Sequence, residues 1–188
     1  MAFIGLSFLF PPVVLCIIFT EREFVMAEKA KHELEPRTLN RIRNFLRVDD
    51  RLATSGMPQP DDFAALRQAG FDVVINLALP TSDNAMPNEG ELVSAQGMTY
   101  VHIPVNFDAP QPADFDRFTR VLDACDGRRV FVHCAANKRV SAFVFLHRLR
   151  HGEKRATAER DLKQIWQPDG VWHEFLNQKL SELRQSPL

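Results

Sequence analysis

The chain has 188 residues, of which 45% are hydrophobic and 25% charged, with a formal net charge of −1. This length and balance are typical of one globular domain, and the near-neutral charge gives no reason to expect a nucleic-acid partner. Cys16, Cys125 and Cys134 are too few for a disulfide framework, so we expect a reducing compartment. With no CxxC and no pair of His or Cys judged to be at ligand spacing, we expect no metal site.

Residues 1–20 carry no charge, and their length is about that of a membrane-spanning helix. Pro11 and Pro12 would break or kink such a helix. Two interpretations stay open: a membrane anchor, or translation that begins at Met26. We interpret residues 21–40 as a linker and residues 41–188 as the folded domain. We expect that domain to be cytoplasmic, or to face the cytoplasm from an inner-membrane anchor, because basic residues follow the apolar segment.

The rest of the chain alternates between predicted strands and helices. Residues 45–56 predict a short strand pair or an edge strand, and the other predicted strands are 71–79, 99–105 and 128–134. The predicted helices are 60–70, 88–97, 113–125 and 140–152, followed by two amphipathic helices. This order predicts an α/β fold with three layers, in which helices cover both faces of a mainly parallel central sheet. Ligands of such sheets bind beyond the carboxyl ends of the strands.

Some residues that can carry chemistry have a simpler interpretation as packing or surface residues. Cys125 falls on the apolar face of predicted helix 113–125, so we expect it to pack in the core. We expect His102, His147 and His173 to be packed or exposed without a catalytic role, and Trp166 and Trp172 to belong to the core.

The segment "HCAANKR" at 133–139 lies between a buried strand and an apolar helix. Backbone N–H groups of a tight loop that enters a helix form a concavity suited to anions, and their positive field favours the thiolate of Cys134. Arg139 offers a planar fork of donors that fits two oxygens of a phosphate. A thiolate in this setting can attack a phosphate ester and form a covalent intermediate.

This segment resembles the His-Cys-x5-Arg phosphate-binding loop of the cysteine-based protein tyrosine and dual-specificity phosphatases. "LATSGMPQPDDFAALRQAGFDVVINL" and "IWQP" are similar to the beta-lactamase-hydrolase-like branch of that superfamily. The resemblance implies that Cys134 is the nucleophile, that Arg139 holds the phosphate, and that His133 orients the loop through backbone contacts. It also implies a general acid on the loop after the preceding strand, for which we choose Asp108 over Asp114 and Asp116.

The remaining loop positions are the expected substrate-binding residues: Ala135, Ala136, Asn137, Lys138, Val140 and Ser141. Only four residues separate Cys134 from Arg139, the loop has no glycine, and Val140 stands where the family has Ser or Thr. We expect Asn137 to supply the left-handed backbone that glycine would otherwise provide. Ser141 is a candidate substitute for the missing hydroxyl.

The resemblance therefore implies a phosphatase that acts on a phosphorylated protein or a small phosphate ester and that needs no cofactor or metal. Two alternatives stay open. The short loop is also typical of rhodanese-like sulfurtransferases, which would carry a persulfide on Cys134. Val140 and the absence of glycine favour a module that binds phosphorylated ligands with little or no turnover. The sequence does not indicate the oligomeric state or the natural substrate.

Overall fold

The computed structural model describes residues 39–185, and the predicted apolar segment and most of the predicted linker lie outside that range. Its strands are β1 (Leu46–Arg47), β2 (Leu52–Ser55), β3 (Val73–Asn76), β4 (Thr99–His102) and β5 (Val130–His133). Its helices are α1 (Asp62–Gln68), α2 (Glu89–Ala95), α3 (Pro112–Asp123), α4 (Lys138–Arg150), α5 (Arg155–Ile165) and α6 (Gly170–Gln185). Within this range, no helix has both the length and the hydropathy that crossing a membrane requires.

The five strands form one sheet in the order β1-β2-β5-β3-β4. Only β1 pairs antiparallel, with β2, so the predicted strand pair at 45–56 is a hairpin at the edge of the sheet. The other three pairings are parallel. In these pairings Ser55 lies beside His133, His133 beside Asn76, and Asn76 beside His102. The carboxyl ends of the four parallel strands therefore meet at one edge.

Alternate strand residues build two cores, one on each face of the sheet. Val73, Ile75, Val130 and Val132 pack into the larger core, which contains residues of α3, α4, α5 and α6. Ala53, Val74 and Phe131 pack into the smaller core with residues of α1 and α2 and with Leu39 and Ile42. This alternation is the two-residue period of a strand covered on both faces. The predicted three-layer α/β fold is confirmed.

Helix α4 lies at the centre of the larger core. Its packing partners include β2, α3, α5 and α6. Six consecutive apolar or small residues are buried in it: Ser141, Ala142, Phe143, Val144, Phe145 and Leu146. A helix enclosed on all sides needs no polar face, which explains why its sequence is apolar almost all round.

The observed helix boundaries differ from the predicted ones by one or two residues, and two of these differences affect residues that the sequence analysis singled out. Helix α3 ends at Asp123, so Cys125 follows the helix, although it packs in the larger core as expected. Helix α4 begins at Lys138 and not at 140, so Arg139 and Val140 belong to its first turn. Both errors are of the size expected at helix ends, where tertiary contacts set the last hydrogen bonds.

Candidate active site

The loop between β5 and α4 consists of residues 134–137, at the edge where the parallel strands end. Cys134 follows β5 directly and is 1% exposed, with its backbone N–H donating to Ser55 O at 3.3 Å. Neither Cys134 nor Cys125 is in a disulfide. The thiol therefore lies at the base of the loop and is held to β2 through its own backbone.

The backbone of this loop presents its carbonyl groups to neighbouring segments. Ala135 O accepts hydrogen bonds from Asn84 Nδ2 at 3.1 Å and from Met57 N at 3.4 Å. Ala136 O accepts one from Asn44 Nδ2 at 3.0 Å. In the part of the chain that the structure describes, an isolated antiparallel bridge pairs Ala136 with Gly56, while no acceptor meets the backbone N–H groups of residues 138–140. A run of N–H groups without acceptors, at the start of a helix, is the arrangement that binds anions.

Asn137 determines how the chain turns into α4. Its φ is 65° and its ψ −2°, which is the left-handed conformation expected for it. Its Nδ2 donates to Asn44 O at 2.7 Å and to Thr54 Oγ1 at 2.9 Å. Asn is among the few residues other than glycine that adopt this conformation readily. The prediction that Asn137 replaces the missing glycine is confirmed.

The side chain of Arg139 is 6% exposed and reaches back to the ends of two strands. Its Nη1 donates to Leu77 O at 3.0 Å and to Val105 O at 3.1 Å. Its Nε is buried and has no partner among residues 39–185, and its Cζ lies 5.8 Å from the centre of the Phe107 ring. One end of the guanidinium is thus fixed by backbone carbonyls, while the Nε edge keeps donors for a ligand.

Asp108 lies on the exposed loop that joins β4 to α3, and its backbone N–H donates to Asn106 Oδ1 at 3.0 Å. The neighbouring Phe107 packs against Trp166 and Trp172, with ring centres 5.9 and 5.7 Å away. Trp172 Nε1 also donates to Phe107 O at 2.8 Å. Because Phe107 also contacts Arg139, these bonds fix the Asp108 loop beside the first turn of α4.

The alternative acids are held within α3. Asp114 lies in the first turn and pairs with Arg117 at 3.3 Å, as expected for a carboxylate at a helix N-terminus. Asp116 is half-buried on the same helix.

Three of the expected substrate-binding residues lie in the first turn of α4: Lys138, Val140 and Ser141. Val140 is fully buried in the larger core. Ser141 Oγ donates to Lys138 O at 3.1 Å and accepts from Trp166 Nε1 at 3.2 Å. The Nζ atom of the exposed Lys138 lies 5.0 Å from the centre of the Trp166 ring. The hydroxyl of Ser141 therefore already has both a donor and an acceptor partner. Val140 has no hydroxyl that could take its place.

A buried polar network that the sequence analysis missed lies behind the loop. His133 Nε2 is 2.5 Å from Glu89 Oε1, and both side chains are almost completely buried. Glu89 Oε2 accepts from Asn76 Nδ2 at 2.7 Å, and Asn76 Nδ2 also lies 3.2 Å from the hydroxyl of Tyr100. The side chain of His133 thus binds α2, whereas the resemblance implied a role through backbone contacts. No sequence spacing links residues 44 positions apart, so only the fold could show this pair.

The pKa of Tyr100 is raised to about 12, mainly by burial and also by the nearby Glu89 carboxylate, against the lowering effect of the hydrogen bond to Asn76. The phenol is therefore neutral at physiological pH. Its hydroxyl is part of the same network that holds His133, the residue immediately before Cys134.

The family model described as "DSP-PTPase phosphatase fused to NAD+ Kinase" matches residues 43–174. A "Beta-lactamase hydrolase-like protein" of Xylella fastidiosa (strain Temecula1) is 32% identical over 95 residues, which are 49% of this chain and 22% of that protein. The chain therefore matches only about a fifth of the length of that curated relative.

Solved structures give the same assignment. A DUF442 protein of Shewanella putrefaciens CN-32, whose name places it among the phosphatases, is 35% identical with a TM-score of 0.71, over 79% of this chain and 98% of that one. A complex of P. aeruginosa TpbA with phosphotyrosine shares the fold at 15% identity, with a TM-score of 0.58 over 76% of this chain and 91% of that one.

Proposed function

The chain belongs to the cysteine-based phosphatase superfamily, in the family described as DSP-PTPase phosphatase fused to NAD+ kinase, and we propose that it hydrolyses phosphate monoesters through a phosphocysteine intermediate. The observation that carries this proposal is the set of unpaired donors around Cys134. The N–H groups of residues 138–140, at the start of α4, and the buried Nε of Arg139 have no acceptor within the described part of the chain. Buried donors without partners are costly, and the oxygens of a phosphate group would satisfy them.

In the first step, the Cys134 thiolate attacks phosphorus and the bond to the leaving oxygen breaks. Asp108 gives its proton to that oxygen, so an alcohol or a phenol leaves. In the second step, Asp108 accepts a proton from water as the water attacks the phosphocysteine. Phosphate is released and the thiolate is restored. The N–H groups and Arg139 hold the negative charge of the equatorial oxygens throughout.

Arg139 suits this role because its two ends are used differently. The bonds from Nη1 to Leu77 O and Val105 O hold the guanidinium plane in place before any ligand arrives. A preorganised fork loses less entropy on binding than a free side chain does. The substrate class is accordingly a phosphate monoester on a protein or on a small molecule.

The test is hydrolysis of an aryl phosphate by the full chain, with and without a chelator. We expect turnover that the chelator does not reduce, that vanadate inhibits and that Cys134→Ser abolishes. We expect Asp108→Asn to lower the rate by about 10²–10⁴-fold, since that is the usual contribution of a general acid. Asp116→Asn is the matched control and should leave the rate unchanged. Turnover that survives Cys134→Ser would refute the proposal.

A second candidate is a module that binds phosphorylated ligands with little turnover. It is favoured by the buried Val140 and by the two bonds that occupy Ser141 Oγ, because breakdown of a phosphocysteine would lack a nearby hydroxyl. Retention of a phosphotyrosine peptide without release of phosphate would support it. Sulfur transfer from thiosulfate to cyanide, without phosphatase activity, would instead support a sulfurtransferase.

A further inference from the structure

Three metal-ligating side chains meet at the edge of the sheet opposite to Cys134. Asp123 is the last residue of α3, His147 lies in the last turn of α4, and His151 follows that helix. Asp123 Oδ1 is 2.8 Å from His147 Nε2 and 3.0 Å from His151 Nε2. The ligand atoms of all three residues lie within 4.8 Å of one another.

The chemistry and spacing of these groups suit a transition metal. His147 lies in the last turn of α4, and His151, four residues later, is the residue that caps the helix. Histidines at this spacing present both rings on one side, as in known zinc sites. Zinc takes imidazole nitrogen and carboxylate oxygen at about 2.0–2.2 Å, so its tetrahedral ligands lie about 3.4 Å apart. The observed separations of 2.8 and 3.0 Å would have to widen by about 0.4–0.6 Å to reach that spacing.

The surroundings leave room for an ion and for further ligands. The side chains of Asp123 and His151 are 42% and 53% exposed, and that of His147 is 14% exposed. All three border a cavity of about 650 Å³ at the amino-terminal ends of β2 and β5. An ion bound by three protein atoms would therefore have solvent, or a small ligand in this cavity, at its remaining positions.

The alternative explanation is a cluster of ion pairs without a metal. One carboxylate oxygen serves both rings, whose centres are 4.4 Å apart, so two imidazolium charges would share a single negative partner. A neutral imidazole is the form that coordinates metals.

We propose that Asp123, His147 and His151 form a binding site for one divalent transition metal ion of the zinc class. The bound ion joins the carboxyl end of α3 to that of α4. The site lies far along the strands from Cys134, and its existence does not depend on the proposed phosphatase reaction. It replaces our expectation of no metal site, which found no pair of His or Cys at ligand spacing and so missed His147 and His151.

The test is calorimetric titration of the tag-free full chain with Zn²⁺, carried out in a Cys134→Ser background so that the reactive thiol cannot bind the ion. We expect one equivalent to bind and to raise the melting temperature. His151→Ala and Asp123→Asn, both at exposed positions, should each weaken binding at least about tenfold, the smallest loss that disturbing a metal site usually causes. Co²⁺ in place of Zn²⁺ should show visible absorption that these variants lose.

His173→Ala is the matched control, because it removes an exposed histidine from α6 and leaves the three ligands intact. It should bind Zn²⁺ as the parent chain does. The proposal is overturned if no saturable binding occurs, or if His151→Ala binds as tightly as His173→Ala. It is also overturned if His151→Ala lowers stability equally with and without Zn²⁺, since the three residues would then form an ion-pair cluster only.

Discussion

Asn137 is the residue on which the shape of the candidate site most directly depends. Its left-handed backbone turns the chain from β5 into α4, while its side chain ties the loop to Asn44 and Thr54. Asn44 has a positive φ as well, of 52°, and its side chain binds Ala136 O in return. Two asparagines thus replace the glycine that such loops usually contain, because each combines tolerance of this conformation with an amide that holds it.

Comparison of Asn137→Gly with Asn137→Ala separates these two contributions. Both variants lose the two hydrogen bonds of Nδ2, at about 1 kcal/mol each. The alanine variant also has a strained left-handed backbone. The energy of that strain is greater, by about 1 kcal/mol, than the entropic cost of ordering the more flexible glycine. We expect urea unfolding to show that Asn137→Ala is the less stable of the two. Equal stabilities would mean that the conformation at this position is not under strain.

Tyr100 is the only tyrosine in the chain, so its ionisation can be followed alone by near-ultraviolet absorbance. We expect the folded protein to titrate at about pH 12, because burial and Glu89 disfavour the phenolate. The unfolded chain should titrate near pH 10. Between pH 10 and about 12, Tyr100 is therefore protonated in the folded state and ionised in the unfolded chain. The contribution of this difference to the free energy of unfolding is fully present below pH 10 and is lost as the pH rises through this range.

Glu89→Gln provides the control for this titration. It removes the carboxylate charge and keeps the size of the side chain, so the pKa of Tyr100 should fall while remaining above its ordinary value. A tyrosine that titrates near pH 10 in the folded parent chain would contradict the buried network behind the loop.

At the scale of elements, α4 connects the two sites of the molecule. Its first turn carries Arg139 at the carboxyl edge of the sheet, and its last turn carries His147 at the opposite edge. Helices α5 and α6 cover it. Trp172 of α6 and Trp166, which follows α5, contact Phe107 in the loop that bears Asp108. The carboxyl-terminal helices thus position the proposed general acid as well as completing the core.

Trp172→Phe tests that positioning. It removes the bond from Nε1 to Phe107 O and leaves an aromatic ring in the core, at a cost in stability of about 1–3 kcal/mol. If the Asp108 loop is loosened, aryl phosphates with poor leaving groups, which need protonation most, should slow more than those with good ones.

Phe175→Leu is the matched control for Trp172→Phe. Phe175 is buried on the same helix and contacts Phe143 and Trp172, and it has no hydrogen bond to the Asp108 loop. It should lower stability without changing the ratio of rates between poor and good leaving groups. A similar change of that ratio in both variants would assign the effect to general loss of core packing.

At the scale of the whole molecule, one sheet is shared by two cores of unequal size. The larger core encloses α4 and places the Cys134 loop at one edge of the sheet. The smaller core brings α2 onto the other face, and with it Glu89, which reaches His133 at the end of β5. The candidate active site therefore draws residues from both faces, because the central strand β5 separates the two layers and ends at their junction.

The fold could be predicted largely from local patterns. The strands and helices follow from periodicity and turn residues, and the short strand pair at 45–56 follows from the length of that segment. Cys134, Asn137 and Arg139 could be placed because they are close in sequence and lie at a junction of strand and helix. The helix ends at Asp123 and Lys138 were misplaced since local propensity is weakest there.

By itself, the sequence determined the α/β order of elements and the position of the Cys134 loop, since each depends on neighbours within a few residues. It also indicated the left-handed conformation of Asn137, because asparagine tolerates that conformation well. Only the tertiary structure decided which atoms hold Arg139, that His133 binds Glu89, and that Asp123 joins His147 and His151. Those contacts join segments far apart in the chain. Their partners are set by how the layers pack, and local sequence carries no trace of that arrangement.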